Sequence, residues 1–160
     1  MWRPFQPNPQ GLLTNDCTVR AVCAVTGMDW YAAHDALCYL SRELADIPST
    51  NRVWWTFLGG IGFRRMALPN TCPDCYTVEK FAADHPAGAY VLGPWEHAVA
   101  VIDGDWWDAW DSGQTVPTYY FEYGGNEHGL SIVPAIPDVP ATADAAAKPI
   151  AGGGSVPGGQ

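Results

Sequence analysis

TNDCTVRAVCAVTG, residues 14–27, contains a helix with legible ends and a cysteine at its start. Thr14, Asn15 and Asp16 are all helix N-cap residue types. Gly27 supplies the stop, because glycine takes the left-handed conformation beyond a helix end at little cost. Ala21, Val22, Ala24 and Val25 give the segment an apolar face wide enough for a central position in a core. Cys17 then falls in the first turn, where unpaired N–H groups and the positive end of the helix dipole favour a thiolate. Only the thiolate attacks carbonyl carbon, and it ordinarily works with an imidazole. Cys23 and Cys38, deeper in helical stretches, read as small buried hydrophobes.

The imidazole is sought among four histidines. His34 falls mid-helix, His85 precedes a proline at a helix end, and His128 sits in a glycine-rich loop; each reads as structural or exposed. His97 instead opens EHAVAVIDGDWWDAWD, residues 96–111, in which an apolar run to Ile102 meets the hairpin dipeptide Asp103-Gly104 and returns through Trp110. A two-residue turn pairs Ile102 with Asp105, Val99 with Asp108 and His97 with Trp110. His97 and Asp108 then share one face, while Asp111 points to the other. Asp108 is therefore the expected orienting acid. Asp111 is the reserve, since one extra turn residue would reverse every face.

Around these two stretches the chain reads as helices followed by strands. Met1–Leu13 is proline-rich and extended, a strap. Asp29 caps a second helix in which Trp30, Ala33, Leu37 and Leu40 keep helical spacing. Asn51 can cap a short third helix, stopped by Gly59-Gly60, and Gly62–Asn70 reads as irregular. Thr77 caps a fourth helix that ends at His85-Pro86, and strands follow at Ala89–Leu92, His97–Ile102, Asp105–Trp110 and Thr118–Tyr123. This is an α+β plan, with N-terminal helices packed on a C-terminal antiparallel sheet. Every one of the 8 Trp, 7 Tyr and 5 Phe lies at or before Tyr123. The expected domain is therefore residues 1–133. Residues 134–160, rich in Pro, Ala and Gly, are expected to be a disordered tail.

Composition narrows the partners. The net charge of −9, from 8 basic and 17 acidic residues, argues against nucleic acid and anionic membrane surfaces. No apolar run approaches the ~20 residues of a membrane span, and Met1–Gln10 does not read as a secretory signal. Five cysteines, an odd number, suit a reduced cytoplasmic protein with free thiols. CPDC, residues 72–75, lacks the second ligand pair a zinc site needs and reads as a loop-tightening turn, so no metal and no cofactor is expected. The sequence carries no signal for an oligomeric state.

Three stretches, NDCTVRAVCAVTG followed after two further residues by Trp30, then TVEKFAADHPAGAYVL and HAVAVIDGDWWDAWDSG, resemble the papain superfamily. More closely they are similar to the small papain-like proteins of phages and prophages, and the resemblance spans about Gly11 to Tyr123. It implies a cysteine-hydrolase fold with Cys17, His97 and Asp108 in triad roles, acting on a protein or peptide substrate. Enzymes of the papain type place an oxyanion-hole glutamine shortly before the cysteine. Gln10 stands near that place without the flanking motif, and Asn15 or the Cys17 backbone N–H are the other candidate donors. A second function class fits the same resemblance: a non-enzymatic phage-encoded binding module that sequesters a host factor.

Overall fold

Asp103 and Gly104 adopt φ values of +48° and +79°, the two consecutive left-handed residues that a type I′ hairpin requires. The turn sets Ile102 opposite Asp105, Val101 opposite Trp106 and Ala100 opposite Trp107. In the computed structural model, which describes residues 1–69 and 71–124, this hairpin lies within a six-stranded sheet. The expected tail, the boundary at residue 133 and His128 lie outside the described residues.

The strands are β1 (Trp2–Pro4), β2 (Phe63–Ala67), β3 (Ala89–Pro94), β4 (Val99–Ile102), β5 (Asp105–Asp108) and β6 (Pro117–Tyr123). Their order across the sheet is β1-β5-β4-β3-β6-β2. The helices are α1 (Cys17–Thr26), α2 (Trp30–Leu44), α3 (Asn51–Gly60) and α4 (Val78–Asp84). Successive strand residues point to opposite faces, and here both faces are covered. Ala89, Val91, Ala100 and Phe121 pack with Val22 of α1, Leu37 of α2 and Trp54 and Leu58 of α3. Tyr90, Leu92, Val99, Val101 and Trp106 pack on the other side with Val78 and Phe81 of α4. The whole of β3 is buried in consequence.

The α+β class holds, and the structure corrects its details. The sheet is mixed, not antiparallel: the expected strap contributes β1, parallel to β5, with Trp2 beside Trp106 and Pro4 beside Asp108. A proline is tolerated there because β1 is an edge strand. One helix, α4, lies on the face opposite the other three. Gly62–Asn70 is not irregular throughout, since FRRMA forms the edge strand β2 against β6. Its two arginines and single buried residue, Phe63, leave no alternation to detect. Helix α3 runs on through Gly59-Gly60, and its N-cap is Thr50 instead of Asn51. Among the described residues no helix is long and apolar enough to cross a membrane.

Candidate active site

Helix α1 starts at Cys17, and its N-cap is Asp16, but the Asp16 side chain does not cap the helix. At 6% exposure its carboxylate turns inward and accepts from Trp30 Nε1 at 2.9 Å, Asn8 Nδ2 at 3.3 Å and the Arg20 guanidinium. Cys17 is half-buried at the edge of a groove of about 870 Å³. Burial pushes its thiol pKa up, but a hydrogen bond and positive charge from His97, the Ala98 backbone N–H and Arg20 outweigh burial. The pKa falls below the ordinary thiol value. Cys23, two turns along the same helix, is pushed up to about 12 by burial with help from the Asp29 charge, and burial raises Cys38 as well. One helix therefore holds an activated thiol and an inert one.

His97 does not open a strand. It lies in the loop of residues 95–98 between β3 and β4, where its backbone N–H donates to Pro94 O at 3.0 Å and Glu96 takes φ +49°. β4 begins two residues later, at Val99. The ring Nε2 lies 2.6 Å from Asp108 Oδ2, and with Nε2–H donating to the carboxylate, Nδ1 is the nitrogen left for the thiol. Burial works against a charged imidazole. The hydrogen bonds to Asp108 and Cys17, with their negative charges, outweigh it and raise His97 to about 9. Asp108, 2% exposed, is also desolvated. Its contacts with His97, and the Ala109 N–H at 2.8 Å from Oδ1, still hold it below the usual carboxylate range. Its backbone is fixed too, because Asp108 O accepts from Phe5 N–H at 2.9 Å and Trp2 Nε1 at 3.1 Å. The Trp110 ring centroid lies 5.2 Å from that of His97 and shields one side of the imidazole.

Asp111, the reserve acid, is engaged elsewhere: its Oδ1 accepts from Trp106 Nε1 at 3.0 Å and from Gly113 N–H at 3.1 Å. Asp108, and not Asp111, is thus the acid that meets His97. Asp111→Ala should leave Cys17 reactivity within about twofold. It should lower stability by about 1–3 kcal/mol through the unpaired, buried indole N–H, which thermal denaturation followed by circular dichroism reads directly.

The groove runs between the residues before α1, the start of α3, the end of β3 with the loop after it, and Ala109-Trp110. Asn15 lines it, exposed, beside Cys17. Gln10 is not among the residues that line it, and its backbone N–H donates to Asn8 Oδ1 at 2.9 Å in a turn. Asn51 lines the groove from the first turn of α3, and Trp95, 86% exposed, stands on its rim.

Arg20 is the residue that sequence reasoning passed over. It is 6% exposed, contacts Asp16, and reaches Asp108 Oδ1 with NH2 at 3.5 Å. A signal was present: Arg20 is the sole charged side chain within α1, four residues after Asp16 and three after Cys17, so all three fall on one helix face.

His34, His85 and the CPDC segment have other partners. His34 stacks on Trp30, and His85 stacks on Phe81 with Nδ1 2.8 Å from Phe81 O. In CPDC the Cys75 N–H donates to Pro73 O at 3.0 Å and Thr71 Oγ donates to Asp74 O at 2.7 Å, a closed turn. Among the described residues no three His, Cys, Asp or Glu side chains gather as a metal site. Comparison with family models, curated proteins and solved structures finds no match to this chain.

Proposed function

We propose that the chain is a papain-like cysteine hydrolase, a peptidase, isopeptidase or amidase acting on a protein or peptide substrate through an acyl-enzyme. The observation that carries the reading is the line from Cys17 to His97 to Asp108, with 2.6 Å between His97 and Asp108, opening on a groove large enough for an extended peptide.

The reaction follows from the protonation states. The Cys17 thiolate attacks the substrate carbonyl, forming a C–S bond and moving the carbonyl electron pair onto oxygen. The Cys17 backbone N–H, one of the unsatisfied donors at the start of α1, and the Asn15 side chain are the proposed partners of that oxyanion. Collapse of the intermediate breaks the C–N bond, and the His97 imidazolium gives its proton to the departing nitrogen. Neutral His97 then takes a proton from water, whose oxygen attacks the thioester carbonyl. The C–S bond breaks, the acid is released, and thiolate and imidazolium are restored. Asp108 keeps Nε2–H occupied throughout, so that Nδ1 faces the reacting atoms.

The test uses two alkylating reagents. Neutral iodoacetamide reports the thiolate, and its rate with Cys17 should climb at a pH below the ordinary thiol range, because the Cys17 pKa is lowered. Anionic iodoacetate also reports the imidazolium beside the thiolate. Its rate should fall as pH passes about 9, where His97 loses its proton. A covalent acyl probe should label the native chain and fail to label Cys17→Ser. Equal iodoacetamide rates at Cys17 and Cys23 would refute the proposal.

A further inference from the structure

A guanidinium this deep in a fold, between two carboxylates of which one orients the histidine, has a place in the chemistry as well as in the packing. Arg20 NH1 bonds Asp16 and lies 3.5 Å from Thr14 O, while NH2 lies 3.5 Å from the Asp108 oxygen that His97 does not use. Its Nε–H, buried, finds no acceptor among the described residues. The side chain is therefore held by its two terminal nitrogens, one toward each acid. It also lines the groove, one helical turn from Cys17.

We propose that Arg20 is a positioning residue, which locks the Asp108 carboxylate toward His97 and sets the pH range over which Cys17 and His97 coexist as thiolate and imidazolium. This rests on the hydrolase reading for its consequence in turnover, though the geometry and the test stand on the thiol alone. Asp108 Oδ2 serves His97 while Oδ1 is occupied by the Ala109 N–H and Arg20, so the carboxylate cannot rotate without breaking both. Arg20 also supplies the positive charge that offsets two buried carboxylates.

The other charged or titratable groups around the site are few. Asp16 belongs to the same network, Glu96 adjoins His97 on its loop, Asp111 is turned to Trp106, and Tyr119 of β6 lines the groove. Arg65 of β2 is committed to the faces of Trp55 and Tyr119 at 4.4 and 4.7 Å. Among the described residues Arg20 is thus the cation in direct contact with the orienting acid besides His97 itself.

The signs follow from charge. Arg20 attracts the thiolate and repels the imidazolium, so removing it raises both pKa values. In Arg20→Met, which keeps the side chain's length without its charge, the rising iodoacetamide limb and the falling iodoacetate limb should both move to higher pH by about one unit. The rate at neutral pH should drop about tenfold. Arg20→Lys, which restores a charge in the same place, should return both limbs most of the way. Asp16→Asn/Arg20→Met removes the partner carboxylate together with the guanidinium and keeps the buried charge balanced. It should show a smaller displacement in the same direction, because losing the Asp16 charge partly offsets losing the guanidinium, and it decides the matter if Arg20→Met does not fold. Slower alkylation with both limbs unmoved in a folded variant would reduce Arg20 to a structural pair and overturn the proposal. A wild-type Cys17 that alkylates no faster than Cys23 would instead sink the hydrolase reading.

Discussion

Replacing His97 by alanine is expected to slow iodoacetamide alkylation of Cys17 at neutral pH by about 30- to 100-fold. The chain should stay folded. Below its pKa a thiol loses about tenfold in thiolate for each unit the pKa rises, so loss of the imidazolium's hydrogen bond and charge accounts for a slowing of about 30- to 100-fold. Burial of Cys17, no longer opposed by an imidazolium, pushes the thiol further from ionisation and widens the gap. Asp108→Ala acts one step removed: the ring remains but loses the acceptor that keeps Nδ1 toward the thiol. Turnover should then fall by about two to four orders of magnitude. Asp108→Asn should be milder, because an amide oxygen can accept the same Nε2–H. Mass spectrometry of peptides labelled in a time course separates Cys17 from Cys23 and Cys38 in one experiment. A His97→Ala rate equal to wild type would mean that the helix start alone activates the thiol.

The second large effect is on stability and comes from Asp16. Asp16→Ala leaves the Arg20 guanidinium, Trp30 Nε1–H and Asn8 amide short of an acceptor in a largely buried site. Breaking one side of a buried ion pair costs about 3–5 kcal/mol. In a domain of this size that is roughly 10–20 °C in Tm. Asp16→Asn keeps an oxygen for Trp30 and should recover part of the loss. A change of under 2 °C in Asp16→Ala would show that water enters the network and solvates Arg20.

What the sequence made legible was local. The Asp103-Gly104 turn, the starts of α2 and α4 behind Asp29 and Thr77, and the Gly27 stop are each decided by one or two residues' backbone preferences. The hairpin turn in turn separated Asp108 from Asp111. What stayed hidden depends on contacts across the chain. β1 pairs in parallel with a strand some hundred residues later, and its three residues carry no pattern of their own. β2 is recruited by β6, with only Phe63 to bury. Asp16 could be recognised as a cap-type residue, but a cap bonds its own helix. The pull of Trp30, Asn8 and Arg20 on its carboxylate belongs to the tertiary fold. Arg20 was overlooked for the same reason, since a charge on a helix reads as solvated until the opposing acid is seen.

The separation between the two halves of the site has a kinetic meaning. Arg20 and Asp108 lie 88 positions apart, and Trp2 reaches Asp108 over 106. Local helices form in about a microsecond, whereas contacts this distant wait for the entropy of closing a long loop to be overcome. A growing or refolding chain therefore carries α1 and an ordinary, unreactive thiol for most of its journey. On the proposed function the nucleophile forms only when the hairpin docks, so the reactivity of Cys17 would time the last step of folding. Quenched alkylation during refolding would record that step without any spectroscopic label.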